Sequence, residues 1–174
     1  KIMKEDMVLR VVRKDEAETV YQVMQEVYER LENKALFANS DMDYIRAHIE
    51  TEGFLVGAYD AFGKMAGNFM VRYPMEASDN LGRDIGLKPE ELCRVAHMES
   101  AVVLPEYRGN HLQIKMLQYA EQVIDKERFW YFMATVSPDN PASYRSFEQN
   151  GYQLMMTKQK YGGLIRRVYG KKVR

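Results

Sequence analysis

Cysteine and tryptophan are the rarest residues of this sequence, with one of each. The single cysteine, Cys93, excludes an internal disulfide and any metal cluster built from cysteines. One thiol fits a reducing compartment, so we expect a cytoplasmic protein. We also expect Cys93 to be buried and inert rather than a nucleophile, and we predict no bound metal.

The formal net charge of the chain is zero, because 25 Lys and Arg residues balance 25 Asp and Glu residues. No global field therefore draws the chain to nucleic acid or to anionic lipid. The basic pairs Arg166-Arg167 and Lys171-Lys172 are few and lie near the end of the chain, which is typical of a solvated edge. We predict no nucleic-acid partner, so an anionic ligand must be held by local geometry.

Long apolar runs are absent as well. No stretch approaches the roughly 20 residues needed to cross a bilayer, and KIMKEDMVLRVVRKDE at the start has no apolar signal core. We therefore expect no membrane association. The 174 residues suit one domain over 1–174, with no repeat, low-complexity tract or interdomain linker.

The first half of the chain predicts a strand, two helices and a hairpin. MVLRVV (7–12) is the strand, Asp15 is placed to cap the first helix, and Ser40 with Asp43 resembles a capping box for the second. GFLVGAYD and KMAGNFMV predict two strands joined by the tight link Ala61-Phe62-Gly63. The first helix has an apolar stripe of Val20, Val23, Met24, Val27 and Leu31.

Residues 74–91 interrupt this pattern. Two glycines, two prolines and mixed charge predict a long loop with one helical turn near Pro89. Loops of this length in compact domains are usually functional or mobile. A solvated insertion and a substrate-facing segment both remain open.

The second half alternates strands and helices. CRVAHMESAVVL (93–104) predicts a central strand, FWYFMATV (129–136) a fully buried one, and two further strands flank Gly162-Gly163. Asn140 and Pro141 begin a short helix that ends before Gly151. This order indicates a mixed α/β sheet. An earlier helix has a core-facing stripe of Leu112, Met116, Leu117, Ala120, Val123 and Ile124.

The corner PEYRGNHLQIKML (105–117) carries chemistry suited to a phosphate. The first amides of a helix lack partners within it, and their dipoles favour an anion. Arg108 adds a planar cation suited to phosphate oxygens, and Gly109 permits close approach. A purely structural strand-to-helix corner is the alternative. The amides that would face a pyrophosphate belong to Gly109, Asn110, His111, Leu112 and Gln113.

Two segments, VVLPEYRGNHLQ and NPASYRSFEQNGY, resemble the two signature segments of the GNAT superfamily of N-acetyltransferases. The first resembles the acetyl-CoA loop, Gln/Arg-x-x-Gly-x-Gly/Ala, on Arg108 to Gln113. The second resembles the family's later helix, through Asn140, Ser143, Gly151 and Tyr152. The resemblance extends over about residues 7–160. It implies an α/β fold with a mixed, mostly antiparallel central sheet of about six to seven strands, flanked by helices on both faces.

The resemblance also implies a cosubstrate and its contacts. Acetyl-CoA would donate its acetyl group to an amine that attacks directly in a ternary complex. Val102 and Val103 would contact the acetyl and pantetheine groups, while Asn140 and Ser143 would hydrogen-bond the pantetheine arm or nearby backbone.

The chain departs from the family pattern at three positions. His111 replaces the usual second glycine of the loop, and Gln113 stands at its final Gly/Ala position. Phe147 stands where the family usually has its general-acid tyrosine. Tyr144, one helical turn earlier, is the substitute candidate; the alternative is that Tyr144, like Phe147, contacts the cofactor or packs.

Glu99 and His97 are the candidate bases. Strand alternation places residues 97, 99, 101 and 103 on one face, unless a bulge turns Met98 and Ser100 toward the substrate. A charged residue within an apolar strand is costly unless paired, which favours a function for Glu99. A structural salt bridge is the rival explanation, and His97 also fits a core or edge histidine.

Two other functions fit the same residues. A non-catalytic acyl-CoA sensor of the same fold would explain Phe147 and the altered loop. A protein-interaction module would use FWYF and the tyrosine-rich C-terminal strands. A homodimer is compatible with the enzyme as well. The acceptor amine is open among a small amine, an amino acid, an antibiotic and a peptide terminus.

Overall fold

The computed structural model describes residues 7–32, 34, 40–160 and 162–174. Residues 1–6, which begin the stretch expected to lack a signal core, lie outside them. The described residues form seven strands and four α-helices. In chain order these are β1 Val8–Val11, α1 Ala17–Glu29, α2 Met42–Glu50, β2 Gly53–Tyr59, β3 Met65–Arg72, β4 Val95–Val103, α3 Leu112–Val123, β5 Tyr131–Val136, α4 Pro141–Gln149, β6 Gln153–Lys160 and β7 Leu164–Lys172.

The strands form one sheet in the order β1-β2-β3-β4-β5-β7-β6. β4 pairs with β5 in parallel, and α3 supplies the crossover that a parallel pair requires. β1–β2, β5–β7 and β6–β7 are antiparallel. The predicted fold class, a mixed and mostly antiparallel sheet of six to seven strands, is confirmed.

The described residues pack into two compact units. The first takes in Lys1–Val71 and Ser100–Val123, and the second Arg72–Glu99 and Ile124–Arg174. In the first unit α1 buries an apolar stripe of Ala17, Val20, Val23, Met24 and Val27. In the second, Leu81, Val95, Met133 and Val168 form an apolar cluster.

Helix starts were predicted to within one or two residues, and the deviations have local causes. A 3-10 turn over Lys14–Glu16 comes before α1, so Asp15 does not cap that helix. Asp41 rather than Ser40 caps α2, because it lies three residues before Tyr44, whose amide donates to Asp41 Oδ1 at 2.8 Å. Leu31 lies beyond the end of α1, and Val123, the last residue of α3, is exposed.

The start of α4 follows its sequence signals closely. Asn140 is the N-cap, with its Oδ1 accepting from the Ser143 amide at 3.3 Å, and Pro141 is the first helical residue. Gly151 follows the helix with φ of +86°, a conformation that glycine adopts without steric cost. The predicted helix and its punctuation are confirmed.

The segment between β3 and β4 is more ordered than predicted. It contains two 3-10 segments, Leu81–Ile85 and Pro89–Arg94, where one helical turn was expected. The buried Asn80 ties it together: its Nδ2 donates to the carbonyls of Met75 and Leu92 at 2.7 and 3.0 Å. The prediction of a buried Cys93 is wrong, because β4 begins two residues later and leaves Cys93 partly exposed.

Glu16 is the centre of a polar network in the first unit. Its carboxylate accepts from Arg10 Nη1 at 2.7 Å, from the Arg13 amide at 2.8 Å and from the Tyr59 hydroxyl at 2.7 Å. Burial alone would raise the pKa of Glu16, but these three donors lower it to about 2. The ionised carboxylate is therefore part of the folded structure.

We predict that Glu16→Gln lowers the free energy of unfolding by about 1–3 kcal/mol near neutral pH, because it removes charge-assisted hydrogen bonds. The folded-state pKa of about 2 lies below the ordinary value of 4.5. The wild-type advantage should therefore be complete above pH 4.5 and disappear as the pH falls toward about 2.

Denaturant unfolding across this pH range measures the difference. Asp15→Asn is the matched control, because the Asp15 side chain is 81% exposed. Equal stability of Glu16→Gln and wild type near neutral pH would contradict the network's contribution.

Candidate functional site

The loop between β4 and α3 has an unusual backbone. Gly109 and His111 both have positive φ, at +86° and +56°. The first bond along α3 runs from the Lys115 amide to the His111 carbonyl at 3.1 Å. Earlier amides of a helix have no acceptor within it. Successive backbone N–H groups next to left-handed residues can together form a concave site for an anion.

This loop is anchored by Tyr107, which is 1% exposed. The Tyr107 hydroxyl donates to Asp60 Oδ2 at 2.6 Å, and Asn110 Nδ2 donates to the Tyr107 carbonyl at 2.8 Å. Burial and the bond to Asp60 raise the pKa of Tyr107 to about 12, so the phenol keeps its proton. Asp60 also accepts from the amides of Phe62 and Lys64, each at 2.9 Å. The loop is thus fixed to the β2–β3 turn.

Charged side chains of both signs lie beside the loop. Glu106, two residues before the exposed Arg108, lies 3.1 Å from Arg30 and 3.9 Å from Lys64. Arg30 also lies 3.9 Å from Glu26, so it is shared between two carboxylates. The exposed Arg108 guanidinium is the positive charge that the loop itself presents.

The predicted acetyl contacts lie at the end of β4. Val102 is buried and Val103 is partly buried. On β3, a Cβ at Gly67 would come within 2.4 Å of the Val102 carbonyl oxygen and 3.2 Å of Val103 Cα. Only glycine lets the two strands approach this closely.

A small cleft lies in the second unit, next to the paired residues of β4 and β5. Val95, Ala96 and His97 pair with Tyr131, Phe132 and Met133. The cleft is lined by residues at the end of these pairs and just after them on both strands, together with Arg72 of β3 and the segment that follows it. Its lining is Arg72, Asp79, Leu81, His97, Met98, Glu99, Ala134 and Thr135.

The cleft brings together both candidate bases. His97 Nδ1 lies 3.7 Å from Glu99 Oε2, and the Glu99 side chain is 24% exposed. The other ring nitrogen of His97, Nε2, accepts from the Leu81 amide at 3.0 Å. Arg72 forms a two-pronged pair with Asp79 at 2.8 and 3.0 Å, which lowers the pKa of Asp79.

The side chains predicted on α4 have different surroundings. The Tyr144 ring is half-buried, and the Arg167 guanidinium lies 4.4 Å from its centre. Phe147 is 5% exposed and packs on Tyr152 and Tyr169, with ring centres 5.0 and 6.4 Å away. The structure thus gives Phe147 a packing role, and its contact with the cofactor stays a prediction.

Sequence reasoning did not find the partners of these residues. Asp60 and Tyr107 are 47 residues apart, and Leu81 and His97 are 16 apart. No local pattern marks either pair. Arg72 carried one signal, since a lone cation ends an apolar strand, and Asp79 lies in the polar segment that follows.

The described residues contain neither a group of metal-binding side chains nor a helix that could span a membrane. Across 7–32, 34, 40–160 and 162–174, no three or more His, Cys, Asp or Glu side chains are grouped to hold a metal. Within those same ranges, no helix has the length and apolar character needed to cross a membrane.

The Acetyltransferase (GNAT) family model matches residues 17–152. The chain therefore belongs to the GNAT family and is an acyltransferase. The predicted family is confirmed. No curated protein sequence matches the chain.

Solved structures show the same fold. An acetyltransferase of the GNAT family from Streptococcus pneumoniae is 13% identical, with a TM-score of 0.70 over 96% of this chain and 99% of that one. yncA from Salmonella typhimurium, with its cofactor acetyl-CoA, is 14% identical, with a TM-score of 0.68 over 97% and 95%. Ribosomal-protein-S18-alanine N-acetyltransferase from Escherichia coli is 12% identical, with a TM-score of 0.71 over 96% and 94%.

We predict that His111→Val lowers the free energy of unfolding by about 1–2 kcal/mol, because a β-branched residue is strained at φ of +56°. His111→Asn is the matched control, since asparagine tolerates this conformation, and it should remain within about 0.5 kcal/mol of wild type. Denaturant unfolding of the three proteins measures this order. Equal stability of the valine and asparagine variants would contradict the left-handed backbone at this position.

Proposed function

We propose that this chain is an acetyl-CoA-dependent N-acetyltransferase that acetylates a primary amine, with residues 1–174 acting as one GNAT domain. The observation that carries the proposal is the carboxylate of Glu99 in the cleft beside His97. The family match supports the single domain, because residues 17–152 include parts of both units.

The loop from Arg108 to Gln113 is the proposed site for the pyrophosphate of coenzyme A. The left-handed backbone at Gly109 and His111 and the anchored Tyr107 support this role. The amides of residues 109–113 would donate to the phosphate oxygens, and Arg108 would add a charge-assisted contact. The acetyl-CoA named with the Salmonella structure, which has the same fold, supports the choice of cosubstrate.

The remaining cofactor contacts rest on the family resemblance. In the first unit, Val102 and Val103 would contact the acetyl and pantetheine groups. In the second, Asn140 and Ser143 would hydrogen-bond the pantetheine arm, although Asn140 Oδ1 already accepts from the Ser143 amide as a helix cap. Phe147, which packs on Tyr152, would contribute at most an apolar contact.

The charges of the cleft suit an ammonium. Arg72 and Asp79 match each other, and His97 is neutral when Nε2 accepts from the Leu81 amide. An ionised Glu99 adds a carboxylate to this lining, and we propose that it takes up the cationic amine.

In the proposed reaction Glu99 first takes a proton from the bound ammonium, directly or through water. The free amine then attacks the acetyl carbonyl carbon, forming a C–N bond. The C–S bond breaks, and the nitrogen gives its second proton to water as the amide forms. Tyr144 is the proposed proton donor to the departing thiolate. The phenolate left behind takes a proton back from water.

We predict that Arg108→Ala raises the Kd for coenzyme A by the equivalent of about 1–3 kcal/mol, the value of a lost charged hydrogen bond. Isothermal titration calorimetry measures this change. Arg13→Ala is the matched control in the same unit, because that side chain is 65% exposed. Equal affinity of Arg108→Ala and wild type would contradict the phosphate role.

We predict that Glu99→Gln lowers kcat about 100-fold near neutral pH, as expected for loss of a general base. The Kd for acetyl-CoA should stay nearly unchanged, because Glu99 faces the acceptor. The variant should recover at high pH, where the acceptor is already unprotonated. If Glu99→Gln had the same turnover as the wild type at every pH, Glu99 would not be the base.

A panel of amines with detection of the free thiol identifies acceptors and tests the enzyme against a sensor. A chain that binds acetyl-CoA and releases no thiol with any amine would contradict the proposed function. We expect the enzyme to act in the cytoplasm, and gel filtration with and without coenzyme A tests for the homodimer.

A further inference from the structure

The buried ring of His97 connects two parts of the second unit. It is 4% exposed and lies on β4, two residues before Glu99 and on the same face of the strand. Nε2 meets the Leu81 amide at 3.0 Å, and Nδ1 faces Glu99 Oε2 at 3.7 Å. One nitrogen thus faces a backbone donor, and the other faces a carboxylate.

These contacts determine which nitrogen carries the proton. The Leu81 amide can only donate, so Nε2 must present its lone pair. In the neutral ring the proton is then on Nδ1, directed toward Glu99. The lone pair of His97 is occupied, so this residue does not abstract a proton from the acceptor.

The Leu81 amide is held firmly enough to impose this tautomer. The Leu81 side chain is buried in the cluster with Val95, Met133 and Val168. The preceding residue, Asn80, accepts from the Gly82 amide at 2.8 Å and donates to the Met75 and Leu92 carbonyls. Turning the amide away would break these contacts.

We propose that His97 is a positioning residue that acts through Glu99: the Leu81 amide fixes its Nδ1–H tautomer, and the Nδ1–H orients the Glu99 carboxylate toward the acceptor amine. The inference rests on the proposed function, in which Glu99 is the base. At 3.7 Å the present contact is longer than a hydrogen bond, so it acts as an attraction between the N–H dipole and the carboxylate.

Two substitutions of His97 by amide residues test the roles of its two ring nitrogens separately. The Gln oxygen reaches the position of Nε2, so His97→Gln keeps an acceptor for Leu81 but loses the donor toward Glu99. The Asn nitrogen reaches the position of Nδ1, so His97→Asn keeps the donor but leaves the Leu81 amide unpaired.

We expect His97→Gln to keep the wild-type Tm and to lose at least about tenfold in kcat, with KM for the amine nearly unchanged, as for other residues that orient a reacting group. His97→Asn should lose stability and keep more of its kcat. If His97→Gln, which keeps the bond to the Leu81 amide, retained more kcat than His97→Asn, the proposal would be overturned. Wild-type kcat in both variants would overturn it too.

The double variant His97→Gln/Glu99→Gln tests whether His97 acts through Glu99. At high pH, where Glu99→Gln retains measurable turnover, adding His97→Gln should cause no further loss. A further tenfold loss would contradict the coupling. If Glu99→Gln alone has wild-type turnover, the proposed base fails; if only His97→Gln does, the base stands and this inference fails.

The ring nitrogen shifts of the wild-type protein give an answer that needs no variant. ¹⁵N NMR distinguishes a protonated ring nitrogen from an unprotonated one. We expect a protonated Nδ1 and an unprotonated Nε2 on His97. A protonated Nε2 would overturn the proposal.

Discussion

A carboxylate directly after the four buried residues that begin β4 is the constraint on which the second unit depends. Met98, next to Glu99, is buried, and an ionised group in apolar surroundings is costly unless polar groups face it. The cleft supplies those groups: the Nδ1 side of His97 and the matched pair of Arg72 and Asp79. The polar lining begins next to the three β4–β5 pairs, so the same two strands provide both buried core residues and part of the lining of the cleft.

The segment between β3 and β4 makes this arrangement rigid. Asp79 and Leu81 come from it and line the cleft, so a merely solvated insertion does not describe it. Arg83 donates to the carbonyls of Ala77 and Glu76 at 3.2 and 2.8 Å, in addition to the three bonds of the Asn80 side chain. A segment tied by so many bonds holds the Leu81 amide in place, and preorganised donors are the most effective form of electrostatic support in an active site.

Local signals predicted most of the fold, and long-range contacts explain what was missed. The apolar periods gave the strands and helices, and Asn140, Pro141 and Gly151 gave the ends of α4, because each acts within a few residues. The loop of Arg108–Gln113 was found in the same way. The bonds of Tyr107 to Asp60 and of Leu81 to His97 were not, because they join residues 47 and 16 positions apart that no local spacing marks. The sequence thus named both candidate bases, His97 and Glu99. Only the fold shows that the Nε2 lone pair of His97 already accepts a hydrogen bond from the Leu81 amide.

The departures from the family pattern differ in their consequences. The backbone at position 111 is left-handed although the residue is histidine rather than glycine. Anion binding by main-chain amides depends on the conformation of the backbone, not on the side chain. His111 therefore changes stability more than it changes the donors of the loop. Phe147 is different, because a phenylalanine side chain has no ionisable proton to give, and this one packs on Tyr152 and Tyr169. Any acid in this unit must come from another residue, and Tyr144, with the Arg167 guanidinium 4.4 Å from its ring centre, stays the predicted donor.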